Sequence, residues 1–358
     1  MAKFDSKTFN ERAFAKYVDI VPKLKKNELV KSRALTPNSQ IRQAFSGQTG
    51  VVFATIPMYG RIDGAPLNYD GTTDITATST TTYERGVVVT GRAKAWVERD
   101  FAEDITDGAG FMDNVAKQVA EYWDEIDQDT ILAILNGIFS MTGAGNLKFV
   151  NGHTYDISAE ATADKQVVSA ATLNTAIQKA SGDKKSKFTI AIMHSTLATN
   201  LENLKLLSYM TYTDGNGIER QLELATWNGR AVIIDDGMPT EDVPESAPDA
   251  GDGYTKYTSY ILGNGAFDYE DVGVEVPYAM VRDEKTNGGQ TLLYSRQRKV
   301  FAPYGISFTK SAMATNSPTD AELSNGANWE LVHDGGAGAG RKHFDHKAIP
   351  IARIISRG

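Results

Sequence analysis

The sequence predicts an α+β fold on an extended frame, and three stretches carry that prediction. Residues 108–139 hold one long helical period, residues 51–101 are β-branched and broken by glycines, and residues 187–207 read as a strand followed by a helix. The composition permits such a fold: of 358 residues, 41% are hydrophobic and 23% charged, enough apolar side chain for a large core and about two domains. The chain has no cysteine, which excludes disulfides, thiolate metal sites and a cysteine nucleophile. No apolar run approaches the roughly 18–20 residues that cross a bilayer, and the opening MAKFDSKTFNERAFAKYV is too charged for a signal peptide.

Residues 1–50 read as an arm. Phe4, Phe9, Phe14, Tyr17, Val18 and Val21 support only a short helix ending at Pro22, and they are too many for a purely solvated tail. VVFATIPMYGRIDGAPLNYDG (51–71), the threonine-rich TTDITATSTTTYERG (72–86) and VVVTGRAKAWVERDF (87–101) then predict one long β-hairpin, with Gly60, Gly64, Gly71 and Gly86 as turns or kinks. A two-stranded ribbon is marginal alone in water, so this one must rest on another surface. From a capping Asp107, Phe111, Val115, Val119, Tyr122, Ile126, Ala133 and Ile134 set a helix over 108–139, roughly 48 Å long. A compact sphere of this chain would be only roughly 50 Å across, which predicts a flat or elongated molecule.

Further along, NLKFVNGHTYDI (146–157) and LELATWNGRAVIID (222–235) each place Asn-Gly between strand-like runs, the local signal of a tight hairpin. Residues 166–181 read as helix, KFTIAIM (187–193) as a buried strand, and STLATNLENLKLL (195–207) as a helix capped by Ser195. After the acidic, proline-rich 239–253, strands are expected at 257–263, 272–283 and 291–309, the last two joined through EKTNGG. HDGGAGAGRKH (333–343) leads into the apolar, basic AIPIARIIS (348–356), and no repeat period is present.

The net charge of −8 is unevenly spread. Residues 1–45 carry ten Lys/Arg against four acids, and residues 341–358 carry five against one, which leaves −18 for the body between them. Such complementarity favours contact between the ends of one copy and the body of another, and a basic arm can also meet nucleic acid without reading sequence.

Candidate chemistry is sparse. GGAGAGR (335–341) has a phosphate-loop glycine frame, but Arg341 and Lys342 stand where that motif needs Lys and a hydroxyl. His194 and Ser195, with Asp235 and Asp236 downstream, imitate a hydrolase triad without a GxSxG elbow. His343 and His346 lie at a spacing that suits a metal only in a helix, which Pro350 limits. Glu121, Asp124, Glu125, Asp127 and Asp129 form a polar helix face, and Arg282, Arg296, Arg298 and Lys299 a basic stripe on neighbouring strands. That stripe either pairs with the helix acids across a contact or faces solvent. No cofactor is implied, and neither is an enzyme.

A chain without chemistry but with a basic arm, a protruding hairpin and an extended frame is best stabilised by other copies of itself. The order of arm, hairpin ending in AKAWVERDF, helix GFMDNVAKQVAEYWDEIDQDTILAILNGIF, strand–helix TIAIMHSTLATNLENL, WNGRAVIIDDGMP and YTSYILGNGAF resembles the major capsid proteins of tailed bacteriophages, of the Hong Kong ninety-seven type. The resemblance covers residues 1 to about 313. It implies an N-terminal arm (1–50), an extended loop over a neighbouring subunit (51–99) and a peripheral domain (100–187) with spine helix 108–139. An axial domain (188–270), peripheral return strands (271–312) and a C-terminal segment assigned to the axial domain (313–358) complete it. It further implies pentamers and hexamers closing an icosahedral virion shell around double-stranded DNA, assembled in the bacterial cytoplasm, with a portal and no membrane partner.

Residues 51–93 contain no lysine, so covalent cross-linking through the loop is not expected, and the short arm points to a separate scaffolding protein. The same fold also serves encapsulin-like compartments that enclose protein cargo; a hydrolase using His194 and Ser195 is the alternative from another class. Candidate inter-subunit contacts are Lys23, Lys25, Lys26 and Arg33 in the arm, and Arg61, Tyr69, Tyr83 and Arg85 in the loop. Glu121, Asp124 and Glu125 on the helix and Arg282, Arg296 and Arg298 on the strands complete the set.

Overall fold

The computed structural model describes residues 29, 33–46, 52–60, 65–72, 74–75, 82–100, 115–213, 219–245, 253–336 and 341–358. In chain order, β1 (Leu35–Pro37) and α1 (Ser39–Ser46) precede the hairpin strands β2 (Phe53–Tyr59) and β3 (Thr82–Val88), then β4 (Thr90–Arg99), α2 (Val115–Phe139) and α3 (Ala144–His153). The middle of the chain holds β5 (Thr154–Asp156), α4 (Ala163–Gln166), α5 (Thr172–Ser181), β6 (Phe188–Met193), α6 (Ser195–Asn203), β7 (Leu207–Thr213), β8 (Glu219–Trp227), β9 (Arg230–Ile234) and β10 (Thr240–Val243). It closes with β11 (Tyr254–Gly263), β12 (Phe267–Asp271), β13 (Tyr278–Asp283), β14 (Gln290–Pro303), β15 (Ile306–Phe308), α7 (Asp320–Ser324), β16 (Trp329–Leu331) and β17 (Ile351–Arg357).

Two sheets organise these elements. One runs β5-β17-β11-β6-β9-β8-β7, with β10 also on β11; the other runs β1-β12-β14-β13, with β4 on the far side of β14. β6 is central because FTIAIM is apolar apart from the half-buried Thr189 and can be covered on both faces. Ile190 and Ile192 enter the main core with Ile131, Leu135, Ile138 and Phe139 of α2. Ala191 and Met193 face Leu173 and Ile177 of α5 and Leu197 and Leu201 of α6. At its other end α2 packs Val119, Ala120 and Trp123 on Leu293 of β14, so this one helix spans both sheets. It runs roughly 37 Å over its described length, and the expected first turns, 108–114, lie outside the described residues.

Several expectations are met in detail. Asn228 (φ 49°) and Gly229 (φ 76°) form the tight turn between β8 and β9, both in the left-handed region. The strand at 257–263 is β11, and EKTNGG joins β13 to β14. The basic tail is β17, paired with β11 along its length.

Others need correction. Residues 146–157 are not a hairpin: Asn151-Gly152 lies inside α3, because Phe149, Val150 and His153 bury one helical face and outweigh the local turn signal. Gly152 serves there as a place of close approach, since a Cβ would stand 3.2 Å from the His346 ring. The helix expected over 166–181 starts only at Thr172, apart from the single turn of α4. The strand expected from 272 starts at Tyr278, and 291–309 is broken by a turn at Tyr304-Gly305. α6 is capped by His194, whose Nδ1 accepts the Thr196 amide at 3.1 Å, not by Ser195. The hairpin consists of β2 and β3 alone; β4 leaves it to pair with β14 over ten residues.

Candidate assembly surfaces

The hairpin is anchored at its root by alternation. Ile56, Met58, Tyr83, Arg85 and Val87 turn inward and are buried, whereas Thr55, Pro57, Tyr59, Thr82 and Glu84 turn outward. Tyr83 meets Phe344 edge-on at 5.8 Å, and Arg85 is ion-paired with Asp268 of β12. Both were candidates for contacts between subunits; both are enclosed within this one. β15 crosses β3 at Gly86, where a Cβ would lie 2.3 Å from the Phe308 carbonyl oxygen and where the amide donates to Ser307 Oγ at 2.8 Å. Lys310 holds its ammonium 4.1 Å over the Phe53 ring beside that crossing.

Beyond the root the character changes. Tyr59 is 73% exposed, Leu67 50%, Tyr69 87% and Ile75 79%, so the described loop carries apolar side chains that its own subunit leaves uncovered. Asp70 and Asp74 lie among them, also exposed. Arg61 lies outside the described residues.

The arm joins the same root. Leu29, Ala34, Leu35, Ile41 and Phe45 are buried, and β1 pairs in parallel with β12. Arg42 of α1 donates to Glu270 at 2.8 Å, so Asp268 and Glu270, two residues apart on β12, hold the hairpin and the arm helix respectively. Arg33 adopts φ 58° at the entry to β1, where its carbonyl accepts the Gly265 amide. Lys23, Lys25 and Lys26 lie outside the described residues.

Asp127 of the helix acids and Lys299 of the basic stripe meet inside the chain. Lys299 Nζ lies 2.7 and 2.8 Å from the two Asp127 oxygens, with both side chains about 95% buried. Trp123 Nε1 donates to Ser295 Oγ at 2.8 Å beside it. Glu121 and Glu125 are exposed on α2 and Asp124 is half-buried. Arg282 is held by Asp100 and Glu284 at the end of the β13–β14 hairpin, and these carboxylates raise its pKa further. Arg296 is exposed, 5.7 Å from the Tyr294 ring centroid, and Arg298 is half-buried.

Strand register shows what the stripe belongs to. Leu293, Ser295 and Lys299 face α2, so Leu292, Tyr294, Arg296 and Arg298 share the opposite face. There Val281, Leu292 and Val97 stand side by side on three strands, with the two valines 48% and 52% exposed, and Ala279, Tyr294 and Ala95 form the next row. Sequence reading missed this face, although the alternation of AKAWVER carries its signal: Ala93, Ala95 and Val97 are exposed while Trp96 packs beneath.

Chemical sites do not form from the other candidates. His194 spends Nδ1 on the helix cap and has Nε2 3.9 Å from Asp236, an arrangement that orients the helix start instead of activating Ser195. His346 pairs with His153, not with His343, which neighbours His333. Among the described residues no three His, Asp or Glu gather as a metal site. Within GGAGAGR, residues 337–340 lie outside the description, and the Asp334 carboxylate accepts the flanking amides of Gly336 and Lys342, placing an anion where a phosphate would have to sit.

No family model matches the chain. Over 297 residues it is 31% identical to the "Major capsid protein" of Bacillus phage SPP1, covering 83% of each protein. The chain belongs to the bacteriophage major capsid proteins. Among solved structures, the capsid of Ralstonia phage GP4 superposes with a TM-score of 0.55 over all of this chain and 95% of that one, at 9% identity. The head structure of Helicobacter pylori bacteriophage KHP40 gives 0.49 over 91% and 88%, at 11% identity. The α+β architecture with its long helix, hairpin and two sheets is thus the phage capsid fold.

Proposed function

We propose that copies of this chain assemble into pentamers and hexamers that close an icosahedral virion head around double-stranded DNA, within the bacterial host cytoplasm. The observation that carries this reading is the 31% identity to the SPP1 major capsid protein over 83% of both chains. The surfaces support it. The loop offers Leu67, Tyr69 and Ile75 with Asp70 and Asp74; the outer sheet face offers Val97, Leu292 and Val281 bordered by Arg99, Arg296 and Arg298. Apolar patches match and the charges are opposite, so the loop of one copy lies over this face of a neighbour.

Each such contact is modest, and stability accumulates because every copy makes several at once. Residues 188–270, whose strands β6 to β11 share one sheet with β17, act as the axial domain around the symmetry axes, and the sheet containing β12 and β14 acts with α2 as the peripheral domain. As DNA enters, the arm and loop bend while the sheets move as bodies. A separate scaffolding protein and a portal complete the assembly. DNA contact is weak, salt-dependent and confined to the basic ends, because a body of −18 repels phosphate.

Negative-stain electron microscopy of the purified protein, with size-exclusion light scattering, tests the reading. Closed shells or five- and six-membered rings are expected. A protein that stays monomeric or dimeric even when co-expressed with its scaffold overturns it.

A further inference from the structure

We propose that α3 and the C-terminal segment lying on it form a docking surface for the phosphate backbone of duplex DNA; this rests on the shell-subunit reading above and names where the enclosed duplex touches the subunit. Residues 343–346 cross one face of α3. The His343 ring sits on Gly145, where a Cβ would strike the imidazole, and the His346 ring on Gly152, where a Cβ would stand 3.2 Å away. Lys148, one helical turn from each glycine, shares that face and is exposed between the two rings. Arg341, Lys342 and Lys347 are exposed on the overlying segment, and Arg341 Nε donates to the Gly336 carbonyl oxygen at 2.8 Å. Burial is the main cause that holds both ring pKa values below their ordinary level. Repulsion from Arg341 and Lys148 adds to it at His343, and repulsion from Lys347 and Lys148 at His346, where Asp345 opposes. The four cations thus surround one pair of rings.

The charges there are open to a ligand. Among the described residues, none bonds the ammonium groups of Lys148, Lys342 and Lys347. The neighbouring acids are engaged: Asp334 accepts the Gly336 and Lys342 amides, Asp345 accepts the Lys347 amide, and Glu330 faces His333 at 3.4 Å. A protein partner would be met by an apolar centre from which charge is depleted. Here the centre is Lys148 between two imidazoles, and Leu147, exposed on α3, is its sequence neighbour and points to another side of the helix. From Gly145 to Gly152 the helix rises roughly 10 Å, a length over which a duplex carries about six phosphate charges. Contacts from these cations position the backbone without reading sequence, and Lys148 extends the C-terminal basic end into a surface.

Fluorescence anisotropy of the purified full-length protein with a labelled duplex of about 30 base pairs, from about 50 to 200 mM salt, tests this. Lys148→Glu, Lys342→Glu and Lys347→Glu together should weaken binding at least about tenfold at the lowest salt. They should also lower the slope of log K against log salt by about 2–3, since each phosphate contact contributes about 0.9. Lys342→Gln alone should lower it by about 1. A charge-matched variant at exposed positions elsewhere, Lys165→Glu with Lys205→Glu and Lys285→Glu, should stay within about twofold, its slope unchanged. An unchanged slope in the first variant, or an equal loss in the charge-matched one, overturns the proposal. So does tighter binding of a synthetic peptide of residues 239–253, five acids and no base, if the first variant loses it, because the surface would then be a protein contact. The assay needs no shell, so absence of shells in the microscope overturns the underlying reading, whereas these outcomes decide the surface alone.

Discussion

His153 Nε2 stands 3.2 Å from His346 Nδ1, while His153 Nδ1 lies 2.6 Å from the carbonyl oxygen of Ile351. A carbonyl only accepts, so Nδ1 carries the proton and Nε2 receives one from His346; the neutral ring thereby ties α3 to the turn at 346 and to β17. β17 is the strand that seals the eight-stranded sheet against β11, which makes this histidine pair a fastening of the C-terminal segment.

That fastening predicts an acid-sensitive fold. Burial lowers the His153 pKa to about 4, with His346 and Lys148 nearby acting in the same direction or on its partner, and Asp345 opposing. Because the folded pKa lies below the unfolded value, the unfolded chain takes up the proton first. Stability is therefore complete above about pH 6.5 and declines as the pH falls towards 4, by about 3 kcal/mol in total. Chemical denaturation from pH 7 to 4 checks this. His153→Phe should be less stable at pH 7 and show a flatter profile, with His346 supplying the remaining slope.

Gly137 gives a prediction whose sign opposes helix propensity. It lies within α2, where alanine would ordinarily add about 1 kcal/mol. Here a Cβ would stand 2.0 Å from the Leu323 carbonyl oxygen and 2.6 Å from Trp329 Nε1, because α7 and β16 press directly on the helix backbone. Gly137→Ala is expected to destabilise the subunit by about 1–3 kcal/mol, read from its denaturation midpoint.

The Lys299–Asp127 pair should behave as a buried ion pair. Lys299→Met leaves the Asp127 carboxylate charged and enclosed, at a cost of about 3–5 kcal/mol. Adding Asp127→Leu should recover most of that loss, since both charges are then gone. A double mutant no more stable than the single would show that the pair does not act as a unit.

These three cases mark where the sequence could be read and where it could not. FTIAIM declared a buried strand because every side chain in it is apolar or small, and the period from Val119 to Ile134 declared the helix that spans both sheets. Asn228-Gly229 and Asn151-Gly152 are identical as dipeptides, yet one is a turn and the other is helical. The difference lies in Phe149, Val150 and His346, whose packing is settled far along the chain. Asp127 finds Lys299 and Arg85 finds Asp268 across more than 170 residues, distances over which local pattern is silent. Tyr83 and Arg85 were legible as hairpin residues but not as its inward face, since that depends on the β2–β3 register.

Packing also sets the boundary of the arm. Leu29, Ala34, Leu35 and Ile41 belong to the subunit's own core, so deleting residues 2–45 should prevent folding, whereas deleting 2–27 should spare it and impair assembly. Thermal melts and light scattering on the two truncations separate these outcomes. Equal stability of both proteins would remove residues 29–45 from the fold.

The loop should separate assembly from folding more cleanly still. Leu67, Tyr69 and Ile75 are at least half exposed, so replacing all three with serine should change the melting of an isolated subunit by little, within the about 0.5 kcal/mol typical of surface positions. In a shell, the same side chains would each bury apolar area against a neighbour at roughly 25 cal/mol per Å², a loss repeated in every copy. Shells of the triple variant should therefore dissociate at markedly lower denaturant than the unsubstituted ones. Val97→Ser with Val281→Ser, on the outer sheet face, should produce the same defect without adding to it, because the two changes remove opposite halves of one contact. Full additivity between the loop and sheet variants would show that these surfaces meet different partners.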